Sequence, residues 1–270
     1  MTPPIFALLT DFGLEDEYVG LIKAALLARL PEARIFDLCH AVPPQDIAEG
    51  AFILARALPH LPPACFVIVV VDPGVGGTRR LLAAQLAGRW YLAPDNGLLT
   101  PVLRQHPEQI IVLHPPDQLL SKASTTFHGR DLLAPMAASL ATRLAAGGST
   151  ADLGEAVPAE SCCFLPDSSL MKEHASIQGE IIHIDHFGNL ASNIRRDDLP
   201  ATAPMAACVV TIGGLEITGI SRAYNEKPPG QPLALWDSGN VLEIAVNGGS
   251  AAKVLGAAKN MAVKVHWLAG

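Results

Sequence analysis

Residues 66–71, Phe-Val-Ile-Val-Val-Val, are apolar without a polar interruption, and the run ends abruptly in Asp72-Pro-Gly-Val-Gly-Gly-Thr-Arg-Arg80. A β-branched run of this kind, with no alternation, predicts a strand covered on both faces, as in a parallel sheet flanked by helices. Open α/β sheets bind ligands just beyond the carboxyl ends of their strands, which is where Asp72 falls. Gly74, Gly76 and Gly77 let a ligand approach the backbone there. Two readings of this corner stand side by side. One is a steric strand-to-loop turn. The other is a charged pocket in which the Asp72 carboxylate meets Arg79 or Arg80.

The rest of the first half repeats a strand-helix rhythm. Residues 5–10 form a short apolar strand ending at Asp11, and helical spacing follows through Tyr18, Leu21, Ile22, Ala25, Leu26 and Leu30. Glu15, Asp16 and Glu17 fall where the first turn of that helix is expected, which favours negative charge. Residues 34–39 predict the next strand, and Asp46 with Glu49 makes a capping box opening a helix to about residue 58. Strands are expected at 81–86, 90–93 and 110–113, and helices from 98 and over 132–145, which puts His128 just before a helix start. From 146 to 166 the chain turns to Gly, Ser, Ala, Pro and acids, a surface connection. Beyond it the helical periodicity vanishes. Alternating segments at 179–185, 207–212, 215–220, 241–246 and 261–267 predict antiparallel strands in a small barrel or sandwich. The chain thus reads as α/β: an N-terminal α/β domain over 1–166 and a smaller C-terminal β domain over 167–270.

Composition narrows the function. With 270 residues, half of them hydrophobic, the chain has ample material for a core. A net charge of −7 without a Lys/Arg run leaves no electrostatic footprint for nucleic acid or an anionic membrane, so a small molecule is the expected partner. The start lacks a basic leader and no stretch is long and apolar enough to span a bilayer. Cys39, Cys65, Cys162, Cys163 and Cys208 are odd in number and lack CxxC spacing, which predicts a reduced, cytoplasmic protein without a disulfide framework. His183-Ile-Asp-His186 supplies metal-ligand types, yet no further ligand cluster supports a metal and none is expected. No G-x-S-x-G elbow occurs, so serine nucleophile chemistry is poorly supported. By position alone, His128 is as well read as a helix-capping or core histidine.

Six motifs in order resemble one family: Thr10-Asp-Phe-Gly13, Val71-Asp-Pro-Gly-Val-Gly76, Pro94-Asp-Asn-Gly-Leu-Leu99, Thr126-Phe-His-Gly-Arg-Asp131, Ile184-Asp-His-Phe-Gly-Asn-Leu190 and Asn247-Gly-Gly-Ser-Ala251. The family is that of the S-adenosylmethionine hydroxide adenosyltransferases, relatives of the fluorinating and chlorinating enzymes. The resemblance implies an N-terminal α/β sandwich with a mainly parallel sheet, a C-terminal antiparallel β-barrel, and a homotrimer with active sites between neighbouring subunits. It implies hydrolysis of S-adenosyl-L-methionine to adenosine and L-methionine, with that sulfonium compound as substrate and no further cofactor.

Carried over by motif, Asp72, Arg79 and His128 correspond to the residues around the attacking water, the motif favouring Arg79 over Arg80. Asp11 corresponds to the acid on the ribose hydroxyls, Asp185 to the acid facing the methionine amino group, and Asn189 to an amide reading a polar edge. Ser250 and Ala251 lie in the last binding motif. Tyr224 matches an aromatic that packs on adenine, or is an ordinary surface tyrosine. Two other functions compete: a halogenase using chloride, and a non-enzymic binder of adenosine or S-adenosylmethionine. A carboxylate at Asp72 repels halide and attracts a water proton. The fluorinating relatives carry a tyrosine at that place and a long insertion after the glycine loop, and this chain has neither. A mere binder needs no Asp72, Arg79 and His128 together.

Overall fold

In the computed structural model, which describes residues 2–167 and 170–267, the chain divides into two compact units, Met1–Leu165 and Pro166–Gly270. The first unit is built on β1 (Ile5–Thr10), β2 (Arg34–Cys39), β3 (Cys65–Val70), β4 (Leu81–Leu86), β5 (Arg89–Pro94), β6 (Gln109–Leu113) and β7 (Gly154–Ala156). They form one sheet in the order β2-β1-β3-β5-β4-β6-β7. Every residue of β3 is buried, and its side chains alternate between two cores. Phe66, Ile68 and Val70 face one core, and Cys65, Val67, Val69 and Val71 the other. Helices α1 (Tyr18–Leu27) and α5 (Ala134–Ala145) cover the first face; α2 (Ile47–Ala57) and α3 (Thr100–Leu103) cover the second. A short α4 (Asp117–Leu120) lies between β6 and α5.

The sheet is mixed, a correction to the expected mainly parallel one. β1 pairs β2 and β3 in parallel and β3 pairs β5 in parallel, whereas β4-β5, β4-β6 and β6-β7 are antiparallel. The local cause is the two-residue connection between β4 and β5. Ala87 and Gly88, at φ 51° and 69°, have the positive φ pair of a tight hairpin, which returns the chain antiparallel. Glu15, Asp16 and Glu17 also depart from expectation: they precede α1, and no side chain caps it, so they are exposed bends rather than a first turn. Asp46 does cap α2, accepting from the Glu49 amide at 2.9 Å.

The second unit holds β8 (Met171–Glu173), β9 (Ser176–Ile184), β10 (Leu190–Arg195), β11 (Val209–Ile212), β12 (Leu215–Thr218), β13 (Ile220–Ser221), β14 (Pro232–Trp236), β15 (Val241–Val246) and β16 (Ala262–His266). Eight run in the order β12-β11-β16-β9-β10-β15-β14-β13, with β8 beside β9. All pairings are antiparallel except β13-β14. β12 comes alongside β14, so the sheet curls nearly into a barrel around Ile181, Leu190, Val210, Leu242 and Val263. A short helix, α6 (Ala251–Leu255), interrupts the strands where periodicity had indicated none.

Candidate active site

In the first unit the site forms where sheet strands end. Asp11 follows β1, and Asp72 follows β3 by one residue beyond the buried Val71. His128 immediately precedes a single π-helical turn, Gly129–Leu133, which leads into α5. Wide turns of this kind recur at functional sites because they redirect the side chains at a helix start. The loops are locked together by Gly76. It has φ +78°, and a Cβ there would collide with the Thr125 carbonyl oxygen. Only glycine allows the Asp72 loop to approach the His128 loop so closely. Asn96, from the Pro94–Leu99 motif, ties its amide to the Val71 carbonyl at 2.9 Å and fixes the end of β3.

Asp72, Arg79 and His128 form one cluster. Arg79 Nε donates to Asp72 Oδ1 and Oδ2 at 2.9 and 3.0 Å, and Nη2 donates to Oδ2. Arg79 Nη1 lies 2.8 Å from His128 Nδ1. A guanidinium has no acceptor, so Nδ1 accepts and a neutral His128 carries its proton on Nε2. Burial, followed by the Arg79 charge, pushes the His128 imidazole below its ordinary range. The side chains are well enclosed, at 6% exposure for Asp72 and 11% for Arg79. Arg80 goes elsewhere: Nε binds Asp95 Oδ2 at 2.9 Å and Nη2 donates to the Ser161 carbonyl. Of the two arginines, Arg79 is the one in contact with Asp72 and His128.

Asp11, Asp72 and His128 line one cavity of about 350 Å³, whereas Arg79 stands behind them. Its apolar wall is an aromatic trio. Phe12, Tyr18 and Phe127 stack edge-on or tilted with ring centroids 5.4–5.8 Å apart. Arg130 sits 4.8 Å over Phe127 and pairs with Asp131, whose Oδ2 takes the Ser124 amide at 2.8 Å. Asp11 Oδ2 accepts from the Gln45 amide at 2.8 Å, and Gln45 holds a left-handed φ of 66° beside the cavity. Gln45 carried no local sequence signal, and Phe12, Tyr18 and Phe127 lay in motifs or periodicity that did not show them as one wall, since that depends on which loops meet.

The second unit gathers the other residues. Asp185 Oδ1 accepts from the amides of Phe187 and Asn189 at 2.9 Å each, and Asn189 Nδ2 donates to Asp185 Oδ2 at 3.0 Å. Gly188, at φ +84°, packs against Ser250, where a Cβ would strike the serine hydroxyl. Ser250 caps α6 by accepting from Lys253 N at 3.3 Å, and Ala251 is buried behind it. Tyr224 is 45% exposed yet anchored: its hydroxyl donates to the buried Glu243 at 2.7 Å. Burial and that carboxylate push its phenol upward. His183 and His186 flank Asp185, and among the described residues no three His, Cys, Asp or Glu side chains group as metal ligands.

A neutral, proton-donating imidazole beside a carboxylate with both oxygens oriented can hold and deprotonate a water. Asp72 Oδ1 has only the shared Nε contact and keeps acceptor capacity. Comparisons with known proteins place the chain in a family. An (R)-S-adenosyl-L-methionine hydrolase of Thermus thermophilus is 41% identical over 98% of this chain and 100% of that protein. One of Salinispora arenicola is 37% identical over 93% of this chain and 94% of that protein. A fluorinase of Nocardia brasiliensis is 30% identical over 73% of each chain. A solved structure of an uncharacterized conserved protein from Thermotoga maritima superposes with a TM-score of 0.86 at 31% identity, covering 97% of this chain and 99% of that one. Sequence models of the SAM hydroxide adenosyltransferase N-terminal and C-terminal domains match residues 6–154 and 179–264. The chain therefore belongs to the SAM hydroxide adenosyltransferase family.

Proposed function

We propose that this protein hydrolyses S-adenosyl-L-methionine, water attacking the ribose C5′ and releasing adenosine and L-methionine. The observation that carries this reading is the Asp72-Arg79-His128 cluster at the wall of a cavity that also contains Asp11. Relatives named as S-adenosyl-L-methionine hydrolases, aligned over nearly the full chain, support it.

The cationic sulfonium is already a good leaving group, so alignment of the nucleophile supplies most of the catalysis. His128 Nε2–H donates to the water oxygen and leaves a lone pair aimed at C5′, while Asp72 Oδ1 accepts the departing proton. The carbon-oxygen bond forms as the carbon-sulfur bond breaks, and its electron pair leaves with methionine. Arg79 orients both groups from behind. Water holds its proton too tightly to give it up beforehand, so proton transfer during attack is favoured over prior formation of hydroxide. Two carboxylates on one cavity wall disfavour a halide there, and thereby the chloride reading.

Asp11 accepts from the ribose hydroxyls. Asp185 and Asn189 serve the methionine end and Tyr224 packs on adenine, with Ser250 and Ala251 shaping the same loop cluster. The assembly is read as a homotrimer in which these residues complete a neighbouring subunit's site. Incubation of the purified protein with S-adenosylmethionine, followed by product separation, tests the reaction. Adenosine and methionine in equal amounts are expected, and a 5′-halo-adenosine as main product would overturn it.

A further inference from the structure

A buried polar chain lies behind the Asp11 loop, outside the cavity wall. Thr10, at the end of β1, is fully buried, and its hydroxyl is 2.8 Å from His40 Nδ1. The same oxygen accepts from the Phe12 amide at 3.2 Å. The His40 side chain is 2% exposed, and its Nε2 lies 3.0 Å from Asp37 Oδ1, off the line of a well-formed hydrogen bond. A carboxylate beside Nε2 favours the proton there, which leaves Nδ1 to accept from the Thr10 hydroxyl. The hydroxyl lone pair then points at Phe12 N–H. The His40 carbonyl accepts from Gly13 N–H at 2.8 Å. Both amides that follow Asp11 are thus held by His40, one directly and one through Thr10.

We propose that His40 is a positioning residue for nucleoside binding. By orienting the Thr10 hydroxyl it fixes the Asp11-Phe12 turn, so that the Asp11 carboxylate is pre-set for a ribose diol, with the Gln45 amide bracing its other side. Burying an imidazole here costs more than burying an aliphatic side chain unless its nitrogens are used. Thr10 and His40 line no part of the cavity, so they act only through the loop. The inference rests on the reading of Asp11 as the acceptor for the ribose hydroxyls.

The test compares adenosine with 2′,3′-dideoxyadenosine by calorimetry on the full chain, with thermal melts confirming folding. Wild-type protein is expected to favour adenosine by roughly 10- to 100-fold, the worth of hydrogen bonds to a charged group. In His40→Ala and Thr10→Val that ratio should fall to about threefold or less, while Thr10→Ser and His40→Asn, which keep the hydroxyl and an acceptor near Nδ1, should preserve it. KM for S-adenosylmethionine should rise about tenfold with kcat little changed, since uniform binding is lost. If His40→Ala fails to fold, Thr10→Val decides, because valine fills the same volume without a hydroxyl. Folded variants that retain the wild-type ratio would overturn the role of His40 while leaving Asp11 intact. A wild type indifferent to the diol would overturn the Asp11 reading and this inference with it.

Discussion

Arg79 Nη1 donates to His128 Nδ1 across 2.8 Å, and this contact defines what the histidine can do. It holds the ring neutral with its only proton on Nε2, as a donor rather than a base. Protonation would set an imidazolium against a guanidinium and break the contact. Because burial and Arg79 lower the folded value below about 6.5, the folded chain binds fewer protons than the unfolded chain just below that pH. Stability attributable to His128 is therefore complete above about 6.5 and falls as pH drops through the window beneath it. Turnover should lose its acid limb in the same window. Denaturant melts of wild type and His128→Asn between pH 7 and 5 check this, and a wild-type slope no steeper than the variant's would refute it.

Asp72 and Arg79 should separate by substitution. Asp72→Asn keeps the shape but cannot take a proton, and a loss of roughly 10²- to 10⁴-fold in turnover is expected with adenosine affinity little changed. Arg79→Lys keeps the charge, yet one ammonium cannot serve both Asp72 oxygens and His128 together, so turnover should fall about 10²-fold. A near-normal Asp72→Asn enzyme would mean that Asp72 is not the base.

Arg80→Ala should behave differently from its neighbour. Arg80 binds Asp95 and the Ser161 carbonyl, and Asp95 Oδ1 also holds the Cys163 amide at 2.8 Å. Its loss should loosen the segment around Ser161 and cost about 1 kcal/mol, while turnover stays within about threefold. Limited proteolysis and steady-state rates measure the two effects. A large loss of turnover would place Arg80 in the site instead.

Gly76→Ala should be far more damaging than Gly88→Ala. Both glycines have positive φ, at +78° and +69°, but a Cβ on Gly76 would meet a backbone carbonyl, whereas a Cβ on Gly88 would point into open space. The hairpin substitution should cost about 1–2 kcal/mol for the left-handed conformation alone. Gly76→Ala adds a collision that drives the Asp72 and His128 loops apart, so both melting temperature and turnover should drop. Equal melting temperatures for the two variants would contradict this account.

Sites completed by a neighbouring subunit should be rescued by mixing. Asp72→Ala and Asp185→Ala proteins, each inactive, should regain some activity after subunit exchange, and light scattering should give three times the mass of the 28.4 kDa chain. No recovery despite demonstrated exchange would assign each site to one chain.

The hydrophobic pattern by itself determined β3 as a strand buried on both faces, because six consecutive apolar residues leave no solvent face, and with it the placement of Asp72 at a strand end. The Asp46 cap was equally legible, since a side chain three residues from its amide partner needs only local geometry. Strand direction was not. A strand covered on both faces, such as β5, carries an unbroken apolar run whichever way its neighbours point, and the turn at Ala87 and Gly88 decided the mixed sheet. Adjacent residues 79 and 80 have identical side chains, so only the tertiary structure could send one to Asp72 and His128 and the other to Asp95. The same holds for Thr10 and His40. Thirty positions apart, they meet only because β1 and β2 run parallel as neighbours and bring their ends together. Sequence determines such pairs only through the packing of the whole sheet, and that is where the geometry of this site is set.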